Sequence, residues 1–434
     1  MREWAVTALR PRITEVDTMW NWKPKFMIRY SFLVLTAVVA ACGGDRVTDP
    51  DPGPITTPGV LEPVLLAVNG RGAVPERFTA ELWVHGNTGY TTTWGRRTVN
   101  GVGSIGNAIN IWNVAGATPV LIDSVIVSNA STLGDIQTTS DGKYLVVATE
   151  LAPGSIVIYD LQDPVKPRLI SRFTSVNTNS GVHTAEVQAV NGRTYAFLSI
   201  AGGSPSRLVI VDITDPADPR EVLSREMGRP FIHDVFVRDG ILMTALWADG
   251  IAIFDIGGGG RGGSPSNPIR LGSVATVGGN AHNIHWFHDP VTGSKRYAFV
   301  GEEGPGSIGS SSIGDIHVID VSDMTNPREV AFFNAPGAGA HNFSADEPRG
   351  VLYSAFYNGG VRALNIRGDL STCTAADRSP DNRCNLGKMG REAGRGLLNA
   401  GMPVYVWGVQ FTDGRLYASD MLNGLWRLSP LPAS

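Results

Sequence analysis

What the chain has little of sets the first limits. Its 434 residues include no long run of Lys and Arg, and 36 basic against 40 acidic side chains leave a formal charge of −4. A phosphate backbone would meet no continuous cationic track, which argues against nucleic acid as a partner. Cysteine occurs only as Cys42, Cys373 and Cys384. No His or second Cys pair accompanies the last two, so a cysteine metal cluster would lack half its ligands. The apolar run at 31–41 is too short for a comfortable membrane span. Familiar catalytic patterns are missing as well: there is no Gly-x-Ser-x-Gly elbow, no His-Glu-x-x-His and no dinucleotide fingerprint between strand and helix. The glycine-rich stretch at 257–263 is not followed by Lys-Ser/Thr and so is no phosphate loop.

What is abundant points to short strands and turns: 52 Gly and 27 Pro. The stretch Arg207-Leu208-Val209-Ile210-Val211-Asp212-Ile213-Thr214-Asp215-Pro216 organises the rest. Consecutive apolar β-formers suit a strand buried on both faces, and Asp-Pro ends it in a tight turn. Copies end in an acidic or amide residue at Asn113, Asp160, Asp212, Asp255, Asp320 and Asn365, roughly 40 to 65 residues apart, a spacing within the range of propeller blades. The chain resembles the LVIVD-repeat family, whose five-letter signature stands at Leu208 to Asp212. The resemblance covers nearly everything after residue 60. It implies a β-propeller on an exported or surface-exposed microbial protein, and in most members the function is undefined.

The repeat unit is legible in detail at 183–225. Residues 183–190 make one strand, Asn191-Gly192 signals a two-residue hairpin, 194–200 and 208–213 are further strands, and 220–225 is the fourth. Hairpin signals return at Asp141-Gly142, Asp239-Gly240 and Asp413-Gly414. First strands begin near Phe78, Asp135, His183, His233, His282, His341 and Val404. The expected fold is therefore all-β: a seven-bladed propeller of four-stranded antiparallel blades over 61–434. The last unit lacks a fourth strand, and residues 61–68 resemble fourth strands elsewhere. They are expected to pair beside 424–428, closing the ring and removing two sheet edges.

Residues 1–41 read as a signal peptide, with Lys23, Lys25 and Arg29 before the apolar core; the true start can equally be Met27. Val39-Ala40-Ala41-Cys42 resembles a bacterial lipobox, which implies lipidation of Cys42 and a membrane anchor. Residues 42–60 hold Pro50, Pro52, Pro54 and Pro58 and form a tether that cannot bury a core. In a Gram-negative host, Gly43 after the cysteine implies the outer membrane.

Two long loops, 95–108 and 301–315, join second to third strands and decorate one face, the expected contact face for a protein or small-molecule ligand. The irregular stretch 367–402 contains Cys373 and Cys384, which in an exported protein are expected to form a local disulfide. Its Arg378, Arg383, Lys388, Arg391 and Arg395 read as solvated charges.

His183, His233, His282 and His341 each stand at the start of a first strand, followed by Thr184, Asp234, Asn283 and Asn342. First strands are innermost, so the four rings are expected around one mouth of the channel. Their layout, and nothing else in the chain, is similar to the carotenoid oxygenases, propellers that hold iron with four histidines. A divalent transition metal is the candidate cofactor, with Asp135 and Glu186 as further axial candidates. Carboxylates available to the rings' second nitrogens are Asp234 and Glu186, with Glu81 and Asp135 in the blades that lack the His. The competing reading has each His bonding a neighbouring blade's backbone as a duplicated repeat device. His285, three residues from His282, is expected on the opposite strand face. Two function classes follow: a surface binding or scaffold module, which is favoured, and a metal-dependent or hydrolytic enzyme built on the axial histidines.

Overall fold

The computed structural model describes residues 62–202, 205–228 and 230–432. The expected leader, Cys42, the tether and Leu61 lie outside the described residues. Besides a two-stranded sheet in a connecting loop, Arg96–Val99 with Val102–Ile105, seven sheets of four or five strands stand in sequence order. Their innermost strands are Phe78–His85, Leu133–Thr138, Thr184–Val190, Asp234–Arg238, Ala281–Trp286, Phe343–Asp346 and Val406–Thr412, numbered here as blades one to seven. Each blade has four main antiparallel strands, so the architecture is the seven-bladed propeller that the repeat predicts.

The repeated acid or amide has a local cause. Asn113, Asp160, Asp212, Asp255, Asp320 and Asn365 each accept a hydrogen bond from the backbone N–H two residues on. This Asx turn stops the third strand and turns the chain toward the fourth. The third strands themselves are buried on both faces; Leu208 to Val211 are at most 1% exposed. Third and fourth strands share a register shift at the same place, between Ile158 and Tyr159, Ile210 and Val211, Ile253 and Phe254, and Val318 and Ile319. One extra residue there increases twist at the rim of every blade concerned.

Ring closure follows the expectation in kind but not in register. Val68–Gly72 pairs antiparallel with Gly424–Leu428 and completes blade seven, whereas Val64–Leu65 pairs in parallel with Glu392–Gly396 of blade six. The closing strand thus begins where the expected one, 61–68, ends. Gly72 is required there, because a Cβ would lie 2.4 Å from the Trp112 ring and 2.6 Å from the Pro119 carbonyl oxygen.

The stretch 367–402 is less irregular than its sequence suggests. Glu392–Gly396 is the fourth strand of blade six, and Cys384–Asn385 adds in parallel to Arg328–Phe333 of blade five. Cys373 and Cys384 are bridged. Its cations are not simply solvated: Arg383 is 9% exposed and pairs with Glu329 and Asp381, and Arg395 pairs with Glu392.

Candidate metal centre and channel

Three of the four axial histidines are fixed by the same backbone bond to the blade that carries them, and His282 sits in a register shift instead. The backbone N–H groups of His183, His233 and His341 donate to the carbonyls of Ser199, Ala245 and Ala355 on their own second strands. The same position in successive blades therefore points the same way, toward the axis. The four rings form an arc, with centroids 4.3 Å apart for His183 and His233, 4.2 Å for His233 and His282, and 4.2 Å for His282 and His341.

Glu303 enters this arc from above. Its Oε2 lies 3.5 Å from His233 Nε2 and 3.8 Å from His282 Nε2, and its Oε1 lies 3.8 Å from His341 Nε2. His183 Nε2 is 3.0 Å from His233 Nε2. Donor atoms about 2.0 to 2.2 Å from one ion are roughly 3 to 4 Å from each other, a spacing that His233, His282 and Glu303 approach as a group while His183 and His341 meet it only in single pairs. Ligand atoms of His233, His282 and Glu303 all lie within 4.8 Å of one another. Several buried atoms here have no hydrogen-bond partner: His341 Nε2, Glu303 Oε2, and Nδ1 of His233 and His282. Unpaired polar atoms cost about 1 to 3 kcal/mol each, which an ion would offset where it meets a lone pair.

The second nitrogens show what orients the rings. His183 Nδ1 is 3.0 Å from Glu150 Oε1, and His341 Nδ1 donates to the Trp407 carbonyl at 2.5 Å. These are the carboxylate and carbonyl partners that metal-binding imidazoles use. They are not the carboxylates expected from sequence. Asp135 accepts from the Ala185 N–H, Asp234 from the Val235 N–H, and Glu186 from the Gln188 amide, all further down the channel. Glu81 accepts from the Asn342 amide. The backbone alternative is met in part: His341 bonds the Trp407 carbonyl of the next blade through its ring, and the His282 backbone acts on the His233 ring in the same sense.

Electrostatics divide the cluster. Burial, and then the neighbouring imidazoles, push His233, His282 and His341 well below the usual histidine range, so these three are neutral and free to ligate. Burial opposes charge on His183 too, but Glu150, Asp135 and Glu303 raise it to about 9. His183 therefore holds a proton at each nitrogen in the metal-free protein, donating to Glu150 and to His233. Burial lifts Glu303 to about 7 although Tyr357 donates to it.

Residues just past second strands complete the roof. Trp94 Nε1 donates to Glu150, Trp247 stacks on His233 at 5.3 Å between centroids, and Tyr357 bonds Glu303. Trp247 and Tyr357 take positive φ, 52° and 41°, a strained choice for bulky residues that clusters at functional sites. The loop that follows Glu303 crosses toward blades six and seven: Tyr405 donates to the Gly306 carbonyl, Ser312 to Asn358, and Ile308 packs with Tyr357, Tyr405 and Met421. That loop, expected to present a contact face, packs over the histidine side of the axis.

The open space lies below. A cavity of about 430 Å³ runs from the histidines along the first strands to Gln188, Gln410 and Thr412. A second hollow, lined by Asn191, Asp239, Gly240 and Gly257, shares Gln188 and Phe236 with it. The cavity thus continues to the face formed by the first hairpins. A register shift between Ala281 and Ile284 breaks the strict alternation of that strand, so His282 and His285 both line the cavity, against the expectation of opposite faces. His285 Nε2 lies 3.4 Å from Glu347 Oε1.

Fold and repeat together define the class: a β-propeller. The Cps50 (Swd1) β-propeller domain of Myceliophteria thermophila is similar in structure, with a TM-score of 0.54 at 11% identity, covering 84% of this chain and 98% of that one. Sqt1 of Saccharomyces cerevisiae aligns with a TM-score of 0.48 at 10% identity, covering 82% and 83%. At 11% identity the likeness to the Cps50 domain shows the fold alone. No curated protein matches the chain in sequence. The LVIVD repeat family model matches residues 195–226, which form the strands of blade three from Tyr195 to Glu226, so the propeller carries an LVIVD repeat in that blade.

Proposed function

We propose that this chain is a cell-envelope lipoprotein, anchored through Cys42, whose propeller binds a divalent transition metal at its axis. His183, His233, His282 and His341 would hold the ion together with Glu303. The mutual ligand spacing of His233, His282 and Glu303, with His341 Nε2 3.8 Å from Glu303 Oε1, supports the reading. An imidazole-rich set with one carboxylate suits zinc, iron, nickel or copper rather than magnesium or calcium. A bound ion would act as a Lewis acid toward a ligand in the channel. The chain's own contribution is a dry, oriented site: Glu150 and Trp407 fix two rings, and Glu150 accepts the proton on His183 Nδ1. His183 Nε2 carries a second proton that must leave if this ring joins the ion, so metal uptake should release protons.

Elemental analysis of protein purified without chelator, and again after incubation with each candidate ion, tests this. About one ion per chain is expected, falling to a small fraction in His233→Ala and Glu303→Gln. Folded wild-type protein that takes up none of the four metals would refute the reading. A second reading, an interaction module with no need of metal, draws on blade one, whose outer strand exposes Val120, Leu121, Ile122 and Ile126. It predicts partner capture that persists after chelation and is lost when these side chains are made polar.

A further inference from the structure

Beneath the histidines the cavity wall has an unusual balance of charge. Glu81, Asp135, Glu186 and Asp234 line it, together with Glu150 at its upper end, and no Lys or Arg does. None of the first four takes part in an ion pair among the described residues; each accepts from neutral donors, namely Asn342, Ala185, Gln188 and Val235. They lie deep in the ring yet remain in contact with the cavity. Burial, and after it the neighbouring carboxylates, raise all four, Asp135 to about 6 and Glu186 and Asp234 to about 8, and His183 is the one cation facing them, so a ligand cation would supply charge that protons otherwise supply.

Two other observations point to a ligand. His341, 1% exposed, lines this cavity and has Nε2 without a hydrogen-bond partner, its other nitrogen being tied to Trp407. Aromatic rings share the wall with the acids: Trp83 and Phe236 on the same strands as Glu81 and Asp234, and Phe343 and Trp407 on blades that carry none of the four. Aromatic faces beside carboxylates attract organic cations through the ring quadrupole and through charge, and give an apolar body something to pack on. A volume of about 430 Å³ accommodates a small molecule. An anion would find no Lys or Arg on this wall and would oppose every carboxyl that ionises, so carboxylate or phosphate ligands are disfavoured.

We propose that the channel binds an organic cation, an amine or ammonium compound with an apolar body, its charge among Glu81, Asp135, Glu186 and Asp234 and its body against the aromatic wall. The proposal deepens the metal-centre reading by naming the ligand class that would approach the ion, and rests on it only for that approach, because the wall contacts need no metal. Calorimetric titration of the purified full chain with benzyltrimethylammonium, and separately with benzenesulfonate at the same ionic strength, tests it. One saturable site for the cation and none for the sulfonate is expected, with affinity reduced about tenfold by Asp135→Asn or Glu186→Gln, either of which removes one ionisable carboxyl without changing shape. Phe236→Ala, which leaves every carboxylate in place, should weaken it several-fold and serves if an acid variant does not fold. Equal binding of both ions, no organic cation binding, or cation binding untouched by all three substitutions would overturn the proposal. The titrations are run on metal-loaded and chelator-treated protein with metal content measured. Protein that holds no metal but binds the cation removes the metal reading and leaves this one; protein that holds metal but no cation does the reverse.

Discussion

His282→Leu separates a histidine kept for a ligand from one kept for the fold. The ring is 3% exposed, its Nδ1 has no partner, and its Nε2 lies 3.8 Å from Glu303 Oε2. Apart from a contact with the Asn283 side chain, its polar atoms do little in the metal-free protein. Leucine fills a similar volume and carries no group to desolvate. Relief of one buried unpaired nitrogen should contribute about 1 to 3 kcal/mol, partly offset by lost ring contacts with His233 and His341. With about 2.1 cal/mol/K of unfolding entropy per residue, a fold of roughly 370 residues has about 0.8 kcal/mol/K, so the metal-free variant should melt at the wild-type temperature or up to about 4 °C above it.

The response to metal should differ sharply. An ion at a hundred times its Kd stabilises the wild type by about 2.7 kcal/mol, or about 3 to 4 °C on the same scale. The variant, deprived of a ligand, should show little of that shift. The assay is thermal unfolding of both proteins at one scan rate, after chelator treatment and then with zinc added, since a large propeller unfolds irreversibly and only matched scans compare. A metal-free variant melting several degrees lower, beside a wild type indifferent to metal, would refute the reasoning and make His282 a structural residue.

Other outcomes follow from parts of the molecule remote from the axis. Burial opposes charge on His317, but Glu302 and Glu329 raise it to about 9. A raised folded pKa means stability present below about 6.5 and lost as pH rises through about 9, by at most about 3 kcal/mol. Because the raised channel acids and His183 slope the same way, the measurement is the difference between wild type and His317→Gln from pH 6 to 10; parallel curves would contradict it. Cys373→Ser with Cys384→Ser opens a loop of sequence separation 11 and should cost at most about 3 kcal/mol, read as a lower melting temperature that reductant reproduces in the wild type. An unchanged temperature would mean the loop is held by its strand pairings alone. Cys42→Ala should release the protein from membranes or leave its leader uncleaved, and unchanged membrane fractionation would count against lipidation.

How far the sequence reached depends on whether a feature is enforced by local backbone chemistry or by chance meetings of loops. The blade count was legible because the third strands of the first six blades end in an Asx turn and several first hairpins carry Asn-Gly or Asp-Gly with positive φ at Asn191, Asp239 and Asp413. These are short-range requirements, repeated from blade to blade. The meeting of His183, His233, His282 and His341 was legible for the same reason: identical positions on successive innermost strands must converge on an axis. Glu150 and Glu303 were not, since each lies one residue past a second strand, where blades differ in loop length and no period marks the position. A usable signal existed, because Glu150, Trp247, Glu303 and Tyr357 all follow second strands by one or two residues, and such positions face the axis from above. His285 was misplaced because strict alternation was applied across a register shift that no residue type announces. The closing strand slipped for a related reason: residues 64–65 resemble an outer strand and are one, but on blade six, so that the glycines after them, which fit against Trp112 and Thr118, do the closing. What repetition dictates can be read one blade at a time; what a single side chain contributes from a loop becomes readable only when the ring is closed.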